Sequence, residues 1–278
     1  MNVVLVPLSD WARPHEESQP LGMDATMAFQ PIVDVNAQTV FGYEALVRGR
    51  HNEPAIEVLT SIGNDHLAEF DRACTLNALG LASLLDLPTR LTINLSATSS
   101  SEKFLSFARQ SAASNGFLPS RIIFEVTHGR NSVDCAHIRN LFAGCAHEGF
   151  GIAIDKFGTA DSGLDLLSTL KPDAVKLSIG LIRDIHVSLT ARARVRGITQ
   201  VCNDIGVLVI AVGVETAEEC RALRDSGVYL FQGNCFARPR FEGLPPVPST
   251  VWPRIERRAT DRGLPMRHSP ASSIHLLR

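Results

Sequence analysis

Neither sign of charge dominates this 278-residue chain: 27 lysines and arginines stand against 29 aspartates and glutamates, a formal net charge of -2. That balance gives no general attraction to a nucleic-acid polymer or to an anionic membrane surface. Long apolar runs are also missing. Nothing approaches the roughly 18–20 residues a bilayer span requires, so no membrane insertion is expected. The apolar start, Met1-Asn2-Val3-Val4-Leu5-Val6, lacks a basic flank and makes a poor secretory signal. The six cysteines (Cys74, Cys135, Cys145, Cys202, Cys220, Cys235) are scattered, with no CxxC pair. A chain of this length needs no disulfides to hold a core, so reduced thiols and a cytoplasmic protein are expected.

What is present is a rhythm. Residues 27–35 and 39–49 read as two strands joined by a short turn at Asn36-Ala37-Gln38, a hairpin. Two helical patterns follow over 53–88, the second with an apolar face at three- and four-residue spacing. Strands are then expected at 91–94, 121–127, 151–157, 173–177, 207–214 and 228–232. Helices are expected between them at 102–115, 132–148, 165–170, 181–205 and 217–226. This is the βα alternation of a parallel sheet or barrel.

The polar residues fall where that rhythm makes them useful. Apolar strands end in Asn94, Glu125, Asp155, Lys176 and Gln232. In a (β/α)8 barrel the carboxyl ends of all strands meet on one face, where such folds keep their sites. A doubly wound open sheet would gather them only at a switch point, and no Gly-rich dinucleotide fingerprint follows the first strand. A barrel is therefore expected. Its central stretch is GIAIDKFGTA, residues 151–160, in which a buried strand delivers an acid beside a base, Asp155-Lys156, just before a turn. The lone histidines His137, His147 and His186 are expected in helices away from the strand ends.

Residues 1–22 form a mixed, proline-punctuated arm, and residues 23–248 form the barrel domain. Residues 249–278 form a tail with six arginines against two acids, of the kind that is usually mobile. The two tryptophans, Trp11 and Trp252, lie in these arms, which points to docking of the arms on their own barrel or on a partner.

The motifs FQPIVD, YEALVRG, INLS, FEVT, IAIDKFGT, VKLS, VGVET and FQG stand in the order and near the spacing of the EAL domain, which this chain resembles from Met27 to Pro239. That resemblance implies a modified (β/α)8 TIM-like barrel with an antiparallel first strand. It also implies the chemistry of cyclic di-GMP, which active members hydrolyse with Mg2+ or Mn2+ and inactive members bind as sensors. By resemblance, Glu44, Asn94, Glu125 and Asp155 are the ligands of a first metal. A hard divalent cation prefers such an all-oxygen set. Arg48 would take a phosphate with its planar fork. Gln30, Leu46, Asp155, Gln232 and the Arg238-Pro239 step would line the dinucleotide. Lys176 and Glu215 belong to the catalytic apparatus, Lys176 holding the attacking water and Glu215 serving as a structural glutamate.

The same resemblance exposes departures. Lys156 stands where a second-metal aspartate is usual, Val212 where a glutamate acts as ligand or base, and His128 where a glutamate pins the loop after Asp155. Ala160 replaces a loop glycine, and Ser178 replaces a frequent aspartate. Two-metal hydrolysis needs acids that hold the cations about 3.5–4 Å apart. Exchanging one for an ammonium changes the local charge by two units, each worth roughly 4 kcal/mol at about 4 Å and an effective dielectric near 20. One divalent ion and no second is therefore expected. The Lys156 ammonium would either sit in the second ion's place or turn to solvent. The leading expectation is a catalytically impaired receptor or regulator that binds cyclic di-GMP and acts through a protein partner or homodimer. Its alternatives are an interaction module that no longer binds nucleotide, and a weak phosphodiesterase.

Overall fold

A computed structural model of the chain describes residues 25–60, 62, 64–96, 102–127, 135–159 and 164–255, without the side chains of residues 102 and 135–137. The expectations for the leader, Trp11, His128, Ala160 and the tail beyond Ile255 lie outside the described residues, as does the side chain of His137.

The chain opens as an antiparallel hairpin of β1 (Ala25–Asp34) and β2 (Thr39–Gly49). Asp34 Oδ1 accepts from the backbone N–H of Asn36 at 2.9 Å and of Ala37 at 3.0 Å, an aspartate-stabilised turn. Helices α1 (Ala55–Thr60) and α2 (Leu67–Leu84) lead into β3 (Arg90–Leu95). Alternation then runs through α3 (Glu102–Ser114), β4 (Ile122–Thr127), α4 (Cys135–Glu148), β5 (Gly151–Phe157), α5 (Asp165–Leu170) and β6 (Ala174–Leu177). It continues with α6 (Ile179–Ile182), α7 (Leu189–Asp204), β7 (Leu208–Val212), α8 (Ala217–Asp225) and β8 (Leu230–Gln232), before β9 (Arg240–Phe241) and α9 (Trp252–Ile255).

Strands β2 to β8 pair in parallel in chain order, and β1 pairs antiparallel with both β2 and β8. The result is a closed eight-stranded barrel with an antiparallel first strand, as expected. The tight hairpin dictates that direction, because a parallel partner would need a long crossover. The short β9 extends the edge of β1 at Ala28 and Phe29.

Side-chain alternation along the strands creates two apolar layers. Ile32, Ile123, Ala153, Ala174, Ile210 and Leu230 plug the barrel interior. The neighbouring positions, among them Phe29, Leu91, Phe124, Ile154, Val175, Ala211 and Phe231, pack outward against the helices.

One expected helix is two. Residues 181–205 divide into α6 and α7 at a turn in which Asp184 has a φ of 55°, and α7 restarts where Ser188 Oγ accepts from the Ala191 N–H at 3.1 Å. His186 therefore lies in a turn and not in a helix. The residues just after Pro248 dock on the barrel. Arg221 Nη1 donates to the Arg254 carbonyl at 2.8 Å and Arg224 Nη1 to that of Ile255 at 2.7 Å, while Ile255 is buried and Trp252 packs against the core. Among the described residues no helix is long and apolar enough to cross a membrane.

Candidate functional site at the barrel mouth

The apolar plug predicts the site. A residue two positions further along a strand shares its neighbour's face, so each plug residue is followed at the carboxyl end by a residue of the mouth. Ile123 leads to Glu125, Ala153 to Asp155, Ala174 to Lys176, Ile210 to Val212 and Leu230 to Gln232. On antiparallel β1 the step runs backward, from Ile32 to Gln30, which sits opposite Glu44 of β2. Asn94 of β3 stands beside Glu125 of β4.

The structure brings most of these side chains together. Lys176 Nζ donates to Glu44 Oε2 at 2.7 Å and to Glu125 Oε2 at 2.6 Å. Gln232 Nε2 donates to Glu44 Oε2 at 2.6 Å and to Gln30 Oε1 at 3.2 Å. Asn94 Nδ2 donates to Glu44 Oε1 at 2.8 Å, and Gln30 Nε2 donates to the Ala237 carbonyl at 3.1 Å. Glu44, Glu125, Lys176 and Gln232 are all buried. The strand-end loops that carry them are tied to one another, with Val214 N–H donating to the Gln232 carbonyl at 3.1 Å and Cys235 N–H to the Val214 carbonyl at 3.0 Å.

Electrostatics divide the two acids. Burial alone would raise the Glu44 carboxyl, but the Lys176 ammonium and the Gln232 and Asn94 amides override it and hold the carboxyl below its ordinary value. Glu125 is pushed up to about 8, first by burial and then by the charge of Glu44, against the pull of Lys176. Burial works against the charge of Lys176, yet Glu125, Glu44 and Asp155 together raise its pKa, so it remains an ammonium.

Asp155 and Lys156 form a bulge. The register between β5 and β6 slips between Ile154 and Phe157, and Lys156 adopts a φ of 56°. The extra residue keeps Asp155 at the mouth while returning Phe157 to the outer core. Lys156 is exposed. The cation inside the acidic cage is Lys176. Asp155 is half-buried, and Thr127 Oγ1 approaches its Oδ2 at 3.5 Å.

The remaining expected residues lie at the rim. Arg48 lines a cavity of about 520 Å3 with Asn52, Pro54, Asn234, Arg238 and Pro239, and Leu46 is half-buried on the same strand. Burial draws the Arg48 guanidinium below its ordinary value, opposed by the charge of Glu44. Val212 is half-buried against the apolar plug. Glu215 is exposed and paired with Arg183, Nη1 to Oε2 at 2.7 Å, so it stands outside the buried cage.

The donor set fits a hard divalent cation. Glu44, Glu125 and Asp155 offer carboxylates and Asn94 an amide oxygen, and the buried Glu125 Oε1 has no hydrogen-bond partner among the described residues. As the side chains stand, no three His, Cys, Asp or Glu groups among the described residues are gathered closely enough to hold an ion. Lys176 supplies the positive charge there, and entry of a metal requires side-chain movement.

Two buried acids escaped the strand-end pattern because they belong to helices. Asp71 on α2 bonds to Ser96, two residues beyond Asn94. Glu219 on α8 accepts from the N–H groups of Glu215, Thr216 and Asp184 at 2.9, 3.2 and 3.2 Å. The second was legible as a capping box, Thr216-Ala217-Glu218-Glu219. The first had no local signature.

Known proteins resemble this chain in sequence and fold. The family described as EAL domain matches residues 22–239. A standalone versatile EAL protein from Vibrio cholerae O395, solved in its c-di-GMP-bound form, superposes with a TM-score of 0.80 at 36% identity over 83% of this chain and 98% of that one. Klebsiella pneumoniae BlrP1, solved as a manganese/cy-diGMP complex, gives a TM-score of 0.77 at 33% identity over 81% of this chain and 58% of that one. The blue light- and temperature-regulated antirepressor BluF of Escherichia coli K12 is 29% identical over 229 residues, covering 81% of this chain and 56% of the relative. The probable cyclic di-GMP phosphodiesterase PdeN of the same organism is 29% identical over 230 residues, covering 77% of this chain and 43% of the relative. The chain thus spans about half the length of these curated relatives. With a matching family over most of its length and a solved relative covered almost end to end, the chain belongs to the EAL domain family.

Proposed function

We propose that this chain is a receptor or regulator in cyclic di-GMP signalling, with a barrel mouth that holds the dinucleotide and hydrolyses it poorly. The observation that carries this reading is the make-up of the mouth: Val212 ends β7 opposite Gln232 of β8, and an exposed ammonium, Lys156, follows Asp155. An isopropyl group neither ligates a metal nor takes a proton, and an ammonium repels a cation. In this reading one Mg2+ or Mn2+ binds at Glu44, Asn94, Glu125 and Asp155, and no second ion is held. Arg48 and Arg238, on the walls of one cavity, supply cations for the two phosphates. The protein is cytoplasmic and passes its state to a protein partner or a second copy of itself.

Two relatives favour other outcomes. The similarity to an antirepressor favours a module that works through contact with a protein partner. The phosphodiesterase similarity, with the acids, Asn94 and Lys176 all retained, supports slow turnover on one metal. Calorimetry with cyclic di-GMP, with and without Mn2+, combined with chromatography of the product, separates the three. The receptor reading expects saturable heat and a dinucleotide recovered intact. Absence of heat at high protein concentration favours the interaction module, and linear product at rates typical of active EAL domains overturns the assignment of impairment.

A further inference from the structure

We infer that Asp71, on α2, is the positioning residue that holds Asn94 in the mouth, acting through Ser96. This inference rests on the reading of Asn94 as a metal ligand. Asp71 is 4% exposed, and its Oδ2 accepts from the Ser96 N–H at 2.9 Å and from Ser96 Oγ at 2.7 Å. A carboxylate buried to this degree needs strong donors, and these two come from the residue that follows β3. Asn94 is the exception among the mouth donors: it is exposed, whereas Glu44, Glu125 and Lys176 are locked by burial. Its amide lies 2.8 Å from Glu44 Oε1. Burial does not fix this exposed side chain, so beyond its bond to Glu44 its place is set by the path of the chain around it, and Asp71 grips that path two residues on. The anchor itself is fixed from α2, where Phe70, Cys74 and Ala78 pack in the outer core and Asn77 Nδ2 donates to the Ala25 carbonyl at 2.8 Å.

The test compares wild type with Asp71→Ala, Asp71→Asn, Ser96→Ala and a control, Asp173→Asn. Asp173 makes a similar carboxylate–backbone bond, accepting from the Ile152 N–H at 2.8 Å, but at the opposite end of the barrel. Titration of Mn2+ by electron paramagnetic resonance and thermal melting are run on each full chain. Outer residues that orient a ligand typically cost about 10–100-fold in metal affinity when removed. Asp71→Ala should weaken Mn2+ about tenfold or more, Ser96→Ala less, and Asp71→Asn, which keeps an acceptor oxygen, should recover most of the loss. Asp173→Asn should lower Tm and leave Mn2+ affinity unchanged. Wild-type affinity in Asp71→Ala, with a Tm loss matching the control, would make Asp71 a structural residue only and overturn the inference. If wild type binds no Mn2+, the metal reading fails by itself, and the clamp is judged on a crystal structure of Asp71→Ala. Loss of the Asn94–Glu44 contact supports it, and retention of that contact overturns it.

Discussion

The Lys176 ammonium lies 2.6 Å from Glu125 Oε2, with both side chains almost wholly buried. A protein that buries two acids at the centre of a barrel must supply positive charge, and here that charge is carried on a strand. The arrangement stabilises the metal-free protein and sets what an incoming cation has to displace.

Lys176→Met should therefore destabilise the fold. Removing one partner of a buried pair typically costs about 3–5 kcal/mol, because the other charge stays buried without compensation. Chemical denaturation is the measurement. Mn2+ should restore part of the loss, since a bound ion replaces the missing charge. An unchanged unfolding midpoint would mean that Glu44 and Glu125 hold no charge in need of a partner.

The two departures at the mouth can be reversed. Lys156→Asp with Val212→Glu should raise Mn2+-dependent hydrolysis of cyclic di-GMP by about tenfold or more over wild type, because it returns oxygen donors where a second ion would be held. Each single variant should gain less. A double variant no faster than wild type would place the impairment elsewhere.

Glu219 ties two mouth loops to the start of α8. Its Oε2 serves the Glu215 and Thr216 N–H groups and its Oε1 the Asp184 N–H. Glu219→Ala leaves these donors unpaired and should cost about 2–3 kcal/mol in denaturant unfolding. Glu219→Gln, which keeps one carbonyl oxygen, should fall between. Equal losses in both variants would show that shape, not acceptor oxygens, is what Glu219 provides.

Gly158, just beyond the Asp155–Lys156 bulge, has a φ of 86°, and a Cβ there would collide with the Leu181 side chain. Gly158→Ala should cost about 1–3 kcal/mol. Hydrogen exchange should locate the loosening in the loop after β5. Wild-type stability would mean that the loop can move away from Leu181.

Much of this architecture is written locally. Short, near-continuous apolar runs mark β4 to β8, and the helical patterns between them set their order. The hairpin at Asn36 is readable because Asp34 and the following small residues build the turn themselves. The break between α6 and α7 is not legible in the sequence because its cause is an interplay of local and distant groups. Ser188 caps α7 locally, but Asp184 is held at positive φ while its N–H bonds to Glu219 on another helix. The bulge at Asp155 and Lys156 is equally hidden, since it is a register slip against β6.

The sequence by itself determined the barrel, its antiparallel first strand and the row of polar strand ends, because alternation and strand order depend on near neighbours in the chain. Only the tertiary structure decided which cation sits among the acids. Lys176 is 132 residues from Glu44 and 51 from Glu125 in the chain, and its place between them is set by barrel closure and by burial that makes an unpaired charge costly.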